Sequence, residues 1–395
     1  MTRRSKFIQI QEDFSFLWTK TRLVKYLVIE LTERCNFNCI HCYINQPATN
    51  HALKEQELST EEIKSIFREA AALGCLQVRF TGGEPLLRED FEELYLFTRK
   101  LGMKVLLSTN ASLITPRLVD LFLQVPPLEK LDITIYGMTD RSYFNVTRTS
   151  NAFNDVKKGI NLLIQNKIPF ETKMTLSQRN KNQIDDFDIW TQKKTNKQGL
   201  PPCVLVLHPR GHRDSKIKNH QIKKIRLSPK EILEILTRNK QTYDNEMKLF
   251  CRKFLGPVGK NLFSCGAGKD TLTISAYGDV QMCTLLRHPD TVFNIKKRTI
   301  QSIISNDFPK LLETKATNPN YLTRCAKCFL KALCDQCPAR AWMEDGTLDT
   351  PVDYLCEIAH AKAYYLGLLK QGEKAWEIQN WKERVKCYLE KGSIN

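Results

Sequence analysis

No window of this 395-residue chain approaches the roughly 20 consecutive apolar residues that a membrane-spanning helix needs. Its opening, MTRRSKFIQIQEDFSFLWTK, carries basic residues but lacks the apolar stretch of a secretion signal. These two absences lead to the expectation of a cytoplasmic protein without a membrane span. Acid is also scarce: 43 Asp and Glu face 60 Lys and Arg, a net charge of +17. Such an excess could steer nucleic acid, an anionic lipid surface or an acidic peptide, and charge by itself does not choose. The densest basic stretch, His208 to Arg226, holds seven Lys or Arg and one Asp but lacks interleaved aromatics. A groove for single-stranded nucleic acid needs those aromatics as stacking platforms. The stretch is therefore read as a solvated loop and helix face, and nucleic acid is not the favoured partner. No internal repeat of solenoid type is present, which excludes a stacked-repeat fold.

With 42% apolar and 26% charged residues, the composition is that of a soluble globular protein, long enough for two domains. From Tyr26 to about Leu207 short β-rich runs alternate with helical patterns, the signature of βα units around a parallel sheet. Strands are expected at Tyr26 to Leu31, Leu76 to Phe80, Lys104 to Leu107, Leu131 to Ile135, Phe170 to Thr175 and Val204 to Leu207. Ser59-Thr60-Glu61-Glu62 reads as a capping box, Thr115-Pro116 as a helix start, and Gly74 and Gly102 as helix stops. Repeated right-handed βα units close into a barrel or partial barrel whose site lies at the C-terminal strand ends. Cys35 to Cys42, Gly82 to Glu84, Asn110, and Tyr136 with Gly137 follow the first four strands in turn. The expected fold class is α/β: a partial (β/α)6 TIM-like barrel over residues 25–227, preceded by an extension, 1–24. A linker helix is expected over 228–250, a loop-rich cysteine domain over 251–360 and a helical tail over 361–395.

Fourteen cysteines are the conspicuous excess, and ten of them lie in clusters at short spacings. Without a secretion signal, such clusters point to metal or redox chemistry sooner than to disulfides. Cys35, Cys39 and Cys42 form CxxxCxxC just past a strand end. Thiolates are soft ligands for zinc or iron-sulfur clusters, and three without an obvious fourth suggest a cluster with one iron left open. The alternative is a zinc site completed by His41 or His51. Downstream, Cys265 and Cys283 bracket Gly278 as C-x12-G-x4-C; Cys325, Cys328, Cys334 and Cys337 follow as C-x2-C-x5-C-x2-C, and Cys356 stands alone. Cys75, Cys203 and Cys387 match no pattern and are read as core or incidental.

In order and spacing, CxxxCxxC, then Thr81-Gly82-Gly83-Glu84-Pro85, then Ser108-Thr109-Asn110 resemble the radical S-adenosylmethionine superfamily. The seven downstream cysteines resemble the SPASM domain, with two residues, Asp335 and Gln336, where that domain usually has three before its sixth cysteine. The resemblance implies a 4Fe-4S cluster on Cys35, Cys39 and Cys42 that binds S-adenosylmethionine. It also implies that Gly82, Gly83 and Glu84 hold the methionine ammonium, and that Ser108, Asn110, Thr134 and Arg148 reach the ribose or carboxylate. Ala111 stands where the family more commonly has glycine. Two auxiliary 4Fe-4S clusters are implied, one on Cys265, Cys283 and Cys337 and one on Cys325, Cys328, Cys334 and Cys356. Cys251 could complete the first set or be a buried core thiol.

The implied reaction is reductive cleavage of S-adenosylmethionine to a 5′-deoxyadenosyl radical that takes hydrogen from a substrate. A flavodoxin- or ferredoxin-type donor would supply the electron. The substrate expected is a ribosomally made peptide or protein under modification. About 25 residues precede the first strand, so a separate leader-binding protein is the expected route to peptide recognition. Sulfatase-maturing members carry an aspartate directly after the G-x4-C cysteine, where this chain has Thr284. Processing of tetrapyrrole side chains is the alternative activity, and a zinc-stabilised nucleic-acid-binding protein the alternative of another class. Brown anaerobic protein with about twelve irons would separate clusters from zinc.

Overall fold

The computed structural model describes residues 24–44, 46–195, 200–209 and 215–390. The expected extension 1–24, apart from Val24, lies outside them, as does part of the basic stretch after His208. Six parallel strands form, the first five in the expected places: β1 (Tyr26–Thr32), β2 (Gln77–Gly82), β3 (Lys104–Thr109), β4 (Leu131–Ile135), β5 (Phe170–Thr175) and β6 (Cys203–Val204). They pair in that order. β1 is buried over nearly its whole length, as a central parallel strand covered on both faces must be. On β2 to β5 the side chains alternate, with Val78, Phe80, Val105, Leu107, Ile133 and Ile135 buried under the helices. The opposite positions, Arg79, Ser108, Thr134 and Lys173 among them, face the interior of the half-barrel, whose cavity they line.

The helix signals act as the sequence indicates. The Ser59 hydroxyl accepts from the Glu62 amide, and the Glu62 carboxylate accepts from the Ser59 amide at 2.8 Å, closing the capping box of Thr60–Ala72. That helix buries Ile63, Ile66, Phe67 and Ala70, one apolar stripe against the sheet. Thr115 caps Pro116–Gln124 through the Leu118 amide at 3.3 Å. Gly74 and Gly102 take φ of +86° and +83° just past their helices, where a side chain would be strained.

Three expectations need correction. The sixth strand was placed at Val204 to Leu207 but is the pair Cys203–Val204. Its partner β5 ends at Thr175, so Leu205 to Leu207 have no ladder to join. The linker is two helices, Pro229–Leu236 and Lys240–Phe254, and the tail is also two, Asp353–Tyr365 and Trp381–Glu390. Between the tail helices Gly367 and Gly372 adopt positive φ, which ends helical winding.

The cysteine-rich part is not a separate body beside the barrel. Its strands β7 (Thr271–Ile274), β8 (Asp279–Gln281) and β9 (Phe293–Asn294) extend the same sheet, giving the order β9-β8-β7-β1-β2-β3-β4-β5-β6. β7 runs parallel to β1, with Leu27 opposite Leu272 and Ile29 opposite Ile274. The buried pair of Arg287 with Glu30, at 2.5 Å, ties the segment after Cys283 to the middle of β1. Both partners are almost fully out of solvent, so removing either would leave an uncompensated buried charge.

Candidate active site

At the C-terminal ends of the parallel strands lies a cavity of about 480 Å³. Cys35, Cys39 and Cys42 line it, together with Gly82, Gly83, Ser108, Asn110 and Thr134. The loop that carries the three thiols is anchored just before its first cysteine. The Arg34 guanidinium donates to both oxygens of Glu57, at 3.0 and 3.1 Å, and Glu57 also accepts from the Thr32 hydroxyl. Burial above all, then for Cys35 the Glu84 charge, and for both the repulsion among the thiols, pushes Cys35 and Cys39 well above the ordinary thiol range. Ligation of iron must therefore displace protons from this site.

The two glycines have a clear physical reason. The amide of Gly83 donates to the Thr32 carbonyl at 2.7 Å, and that of Glu84 to the Arg34 carbonyl at 2.9 Å. A Cβ on Gly82 would stand 2.1 Å from the Thr32 oxygen, and one on Gly83 2.2 Å from the Arg34 oxygen. Only glycine lets the end of β2 lie against the strand that leads into the cysteine loop.

Glu84 lies just past the end of β2, close enough for its charge to act on Cys35. Its side chain is fully buried and does not line the cavity. One oxygen accepts from the Thr109 hydroxyl at 2.8 Å and the Leu86 amide at 3.1 Å, and the other from the Asn110 amide at 2.8 Å. Burial raises its pKa to about 7 against those hydrogen bonds. The carboxylate thus fastens the end of β2 to the end of β3. Glu84→Gln keeps the shape but turns one acceptor into a donor facing a buried N–H or O–H. It is expected to cost on the order of 1–3 kcal/mol in a urea unfolding titration.

Asn110 joins the strand end to the cysteine loop: its Nδ2 donates to Asn36 Oδ1 at 2.9 Å and lies 4.0 Å from Cys35 Sγ. The next residue, Ala111, has φ of +63°, the left-handed region. Glycine is commoner at such a position because alanine there costs about 1 kcal/mol. Arg148 is not brought to the cavity: it is exposed at the left-handed end of helix Asp140–Thr147, with φ of +55°.

Sequence reasoning missed several cavity residues. Arg79 on β2 and Lys173 on β5 both pair with Asp132 on β4, at 2.9 and 2.7 Å, and Arg79 also donates to Ser108. Both cations stay partly accessible from the cavity. Period-two alternation along the assigned strands could have placed them inside. His208, Tyr43 and Thr284 also line the cavity. Burial and the nearby Arg340 and Arg226 lower the His208 pKa to about 3, so this imidazole is neutral. Burial raises the Tyr43 pKa, and the charges of Cys42 and Cys283 add to it.

Downstream, four thiols line one small cavity: Cys325, Cys328, Cys334 and Cys356, with Arg324, Lys331 and Trp376 in its wall. The charges of Cys337 and Cys265 both act to raise the pKa of Cys283. Cys251 is buried in a different core, with Tyr243, Phe329 and Val385, and no thiol of the Cys283 group acts on it. It is a packing residue of helix Lys240–Phe254, and Cys75 is likewise buried, while Cys387 is exposed. Among the described residues, no three ligating side chains converge on one point closely enough for a single metal ion. Thiols ringing a cavity in this way suit a cluster, in which each thiolate serves a different iron.

A parallel half-barrel with three thiols at its mouth and further thiol groups behind it has the donor set of an iron-sulfur protein. The chain belongs to the radical SAM superfamily, whose model matches residues 29–187, and it carries a SPASM iron-sulfur cluster-binding domain, matched over residues 265–329. Its cofactors are 4Fe-4S clusters, including auxiliary ones, and S-adenosylmethionine. Cys334, Cys337 and Cys356 lie beyond the matched SPASM stretch. The AdoMet-dependent heme synthase of Methanosarcina barkeri is 26% identical over 352 residues, covering 85% of this chain and 96% of that protein. Streptococcus suis SuiB bound to S-adenosylmethionine superposes with a TM-score of 0.55 at 15% identity, covering 90% of this chain and 83% of SuiB. anSMEcpe with bound AdoMet gives 0.60 at 15% identity, over 92% of this chain and 98% of that one. At such identities the structural likeness is one of fold. No helix among the described residues is long and apolar enough to cross a membrane.

Proposed function

We propose that this enzyme modifies a peptide by hydrogen abstraction, with the cleaved cofactor at Cys35, Cys39 and Cys42 and the substrate between that site and the downstream thiols. The observation that carries this reading is the form of the cavity. β6 is the edge of the sheet, and the segment that continues from it, Val204 to His208, forms one wall. In this reading an extended chain lies along that wall, where the sheet ends. The opposite wall includes Thr284 and Leu285, directly after Cys283, so a bound residue would lie near the auxiliary site. SuiB, of similar fold, has been solved with its precursor peptide SuiA, and anSMEcpe with the Cp18Cys peptide.

S-adenosylmethionine, once bound, supplies the radical chemistry, and the protein's share is to bind, orient and exclude water. Gly82 and Gly83 present main chain at the cavity, Asn110 steadies the cysteine loop, and Cys265, Cys283 and Cys337 hold one auxiliary cluster. Cys325, Cys328, Cys334 and Cys356 hold the other. An electron donor of flavodoxin or ferredoxin type and a separate leader-binding protein belong to this reading as partners.

Processing of a tetrapyrrole side chain is the second reading, favoured by likeness to a heme synthase over 96% of that protein. Arg79 and Lys173 would suit a propionate carboxylate there. The two are separated by incubating anaerobically reconstituted enzyme, reductant and S-adenosylmethionine with a precursor peptide encoded beside it, or with an iron porphyrin carrying propionates. The peptide is expected to stimulate 5′-deoxyadenosine release and to change mass. Stimulation by the porphyrin alone would overturn the peptide reading.

A further inference from the structure

The cavity ringed by Cys325, Cys328, Cys334 and Cys356 is walled by cations. Lys331 is only 6% exposed, its ammonium donates to the Gln336 carbonyl, and its charge acts on Cys325, Cys328 and Cys334. Arg324 stands on the other wall: its Nη2 donates to Asp353 at 2.8 Å and lies 3.9 Å from Cys356 Sγ. Its guanidinium stacks over Trp376 at 4.9 Å. Its Nε–H is buried with no acceptor among the described protein groups, a donor left over on the cavity wall.

His360 adds a third contact. The Ala375 amide donates to its Nε2 at 3.3 Å, so the ring proton is on Nδ1. That Nδ1–H donates to the Cys356 carbonyl at 2.8 Å and lies 3.5 Å from the Cys356 sulfur. Lys374 and Lys362 also act on this site, through Cys356 and Cys334, against the acids Asp353 and Asp335. At the other downstream site, burial is the largest influence on Cys283, followed by the amides of Leu285 and Leu286 and the thiols Cys337 and Cys265, and the buried Arg287 four residues on is paired with Glu30.

A 4Fe-4S cluster with four thiolates is an anion, and reduction adds one more negative charge. Buried cations and N–H donors at its sulfurs therefore favour the reduced form. We propose that Lys331, Arg324 and His360 raise the reduction potential of the cluster on Cys325, Cys328, Cys334 and Cys356 above that of the cluster on Cys265, Cys283 and Cys337. In the step this implies, one electron leaves the reduced Cys283 cluster, which is oxidised, and reduces the C-terminal one. From there a one-electron acceptor of ferredoxin or flavodoxin type removes it. Lys331, Arg324 and His360 act through the cluster and do not touch substrate, and the inference holds whichever substrate the enzyme takes.

The test is a redox titration of the anaerobic holoenzyme followed by electron paramagnetic resonance. The C-terminal signal is identified as the one that disappears in a Cys328→Ala, Cys334→Ala double variant. It is expected to have the higher potential of the two downstream signals. Lys331→Met should make it about tenfold harder to reduce, about 59 mV for a one-electron couple, while Lys331→Arg restores it and the other signals stay in place. Where Lys331→Met fails to retain iron, Arg324→Gln, at the rim with a side chain 29% exposed, gives the same downward shift and decides the matter. The proposal is overturned if the C-terminal signal has the lower potential, or if the variants that keep their iron leave it unmoved.

Discussion

Replacing Cys35, Cys39 and Cys42 together by Ala should reduce formation of 5′-deoxyadenosine to background and lower bound iron by about a third, the share of one 4Fe-4S cluster in three. The reason is positional. These three thiols line the mouth of the half-barrel beside Gly82, Gly83 and Asn110. The downstream thiols are held by other elements, among them the segment after β8 and helix Asp353–Tyr365. The loop itself is fixed by Arg34 and Glu57, which the substitutions leave in place. Iron analysis and cofactor cleavage assays check both halves of the expectation. Cleavage above background in the triple variant would remove these residues from the reductive site.

The Cys328→Ala, Cys334→Ala double variant should behave in the opposite sense. It is expected to lose another third or so of the iron and still cleave S-adenosylmethionine, within a few-fold of the wild type, but to leave substrate unmodified. Cys328 packs in a core with Phe329, Leu330 and Leu333, where Phe329 stacks on Trp381 at 5.9 Å. Metal binding and folding are coupled in such a small core, so the C-terminal helices should also become easier to digest. The nine-stranded sheet does not pass through these residues, so the barrel site should survive. Full iron content and normal turnover in this variant would show that neither residue is a ligand.

Much of this architecture was legible before any coordinates. β4 and β5 lie at the expected residues because β-branched and apolar runs there are bounded by turn signals. Ser59 and Thr115 cap the helices they were expected to start, since a hydroxyl just before an apolar stripe satisfies the first free amides. The sixth strand was set too late, because the apolar run Val204 to Leu207 reads as a strand whether or not a partner exists to pair with it. The cysteine-rich region reads as irregular because its strands are two to four residues long, too short for a period to show.

The candidate site divides in the same way. Cys35, Cys39, Cys42, Gly82 and Gly83 could be placed together because their spacing is local and each follows the end of an assigned strand. For Arg79, Asp132 and Lys173, alternation along the recognised strands indicates a shared face but not that they pair with one another. Which side of a strand faces a cavity depends on the curvature of the sheet, and their pairing links β2, β4 and β5 across more than one neighbour. Glu84 shows what a motif leaves out: the spacing does not reveal that its carboxylate accepts from Thr109, Asn110 and Leu86 and so joins the ends of two strands.

What the sequence determined by itself was the chemistry on offer: soft thiolates at ligand spacings, glycines at close approaches, and strands and helices in βα order. Local spacing and local propensity are short-range properties, and a chain carries them wherever it goes. Tertiary structure decided which groups meet: β7 beside β1, Arg287 against Glu30, Cys251 in one core with Phe329 and Val385, and Lys331 and Arg324 against four sulfurs. These are contacts between residues far apart in the chain, formed only when the apolar faces pack and force their polar edges to find partners.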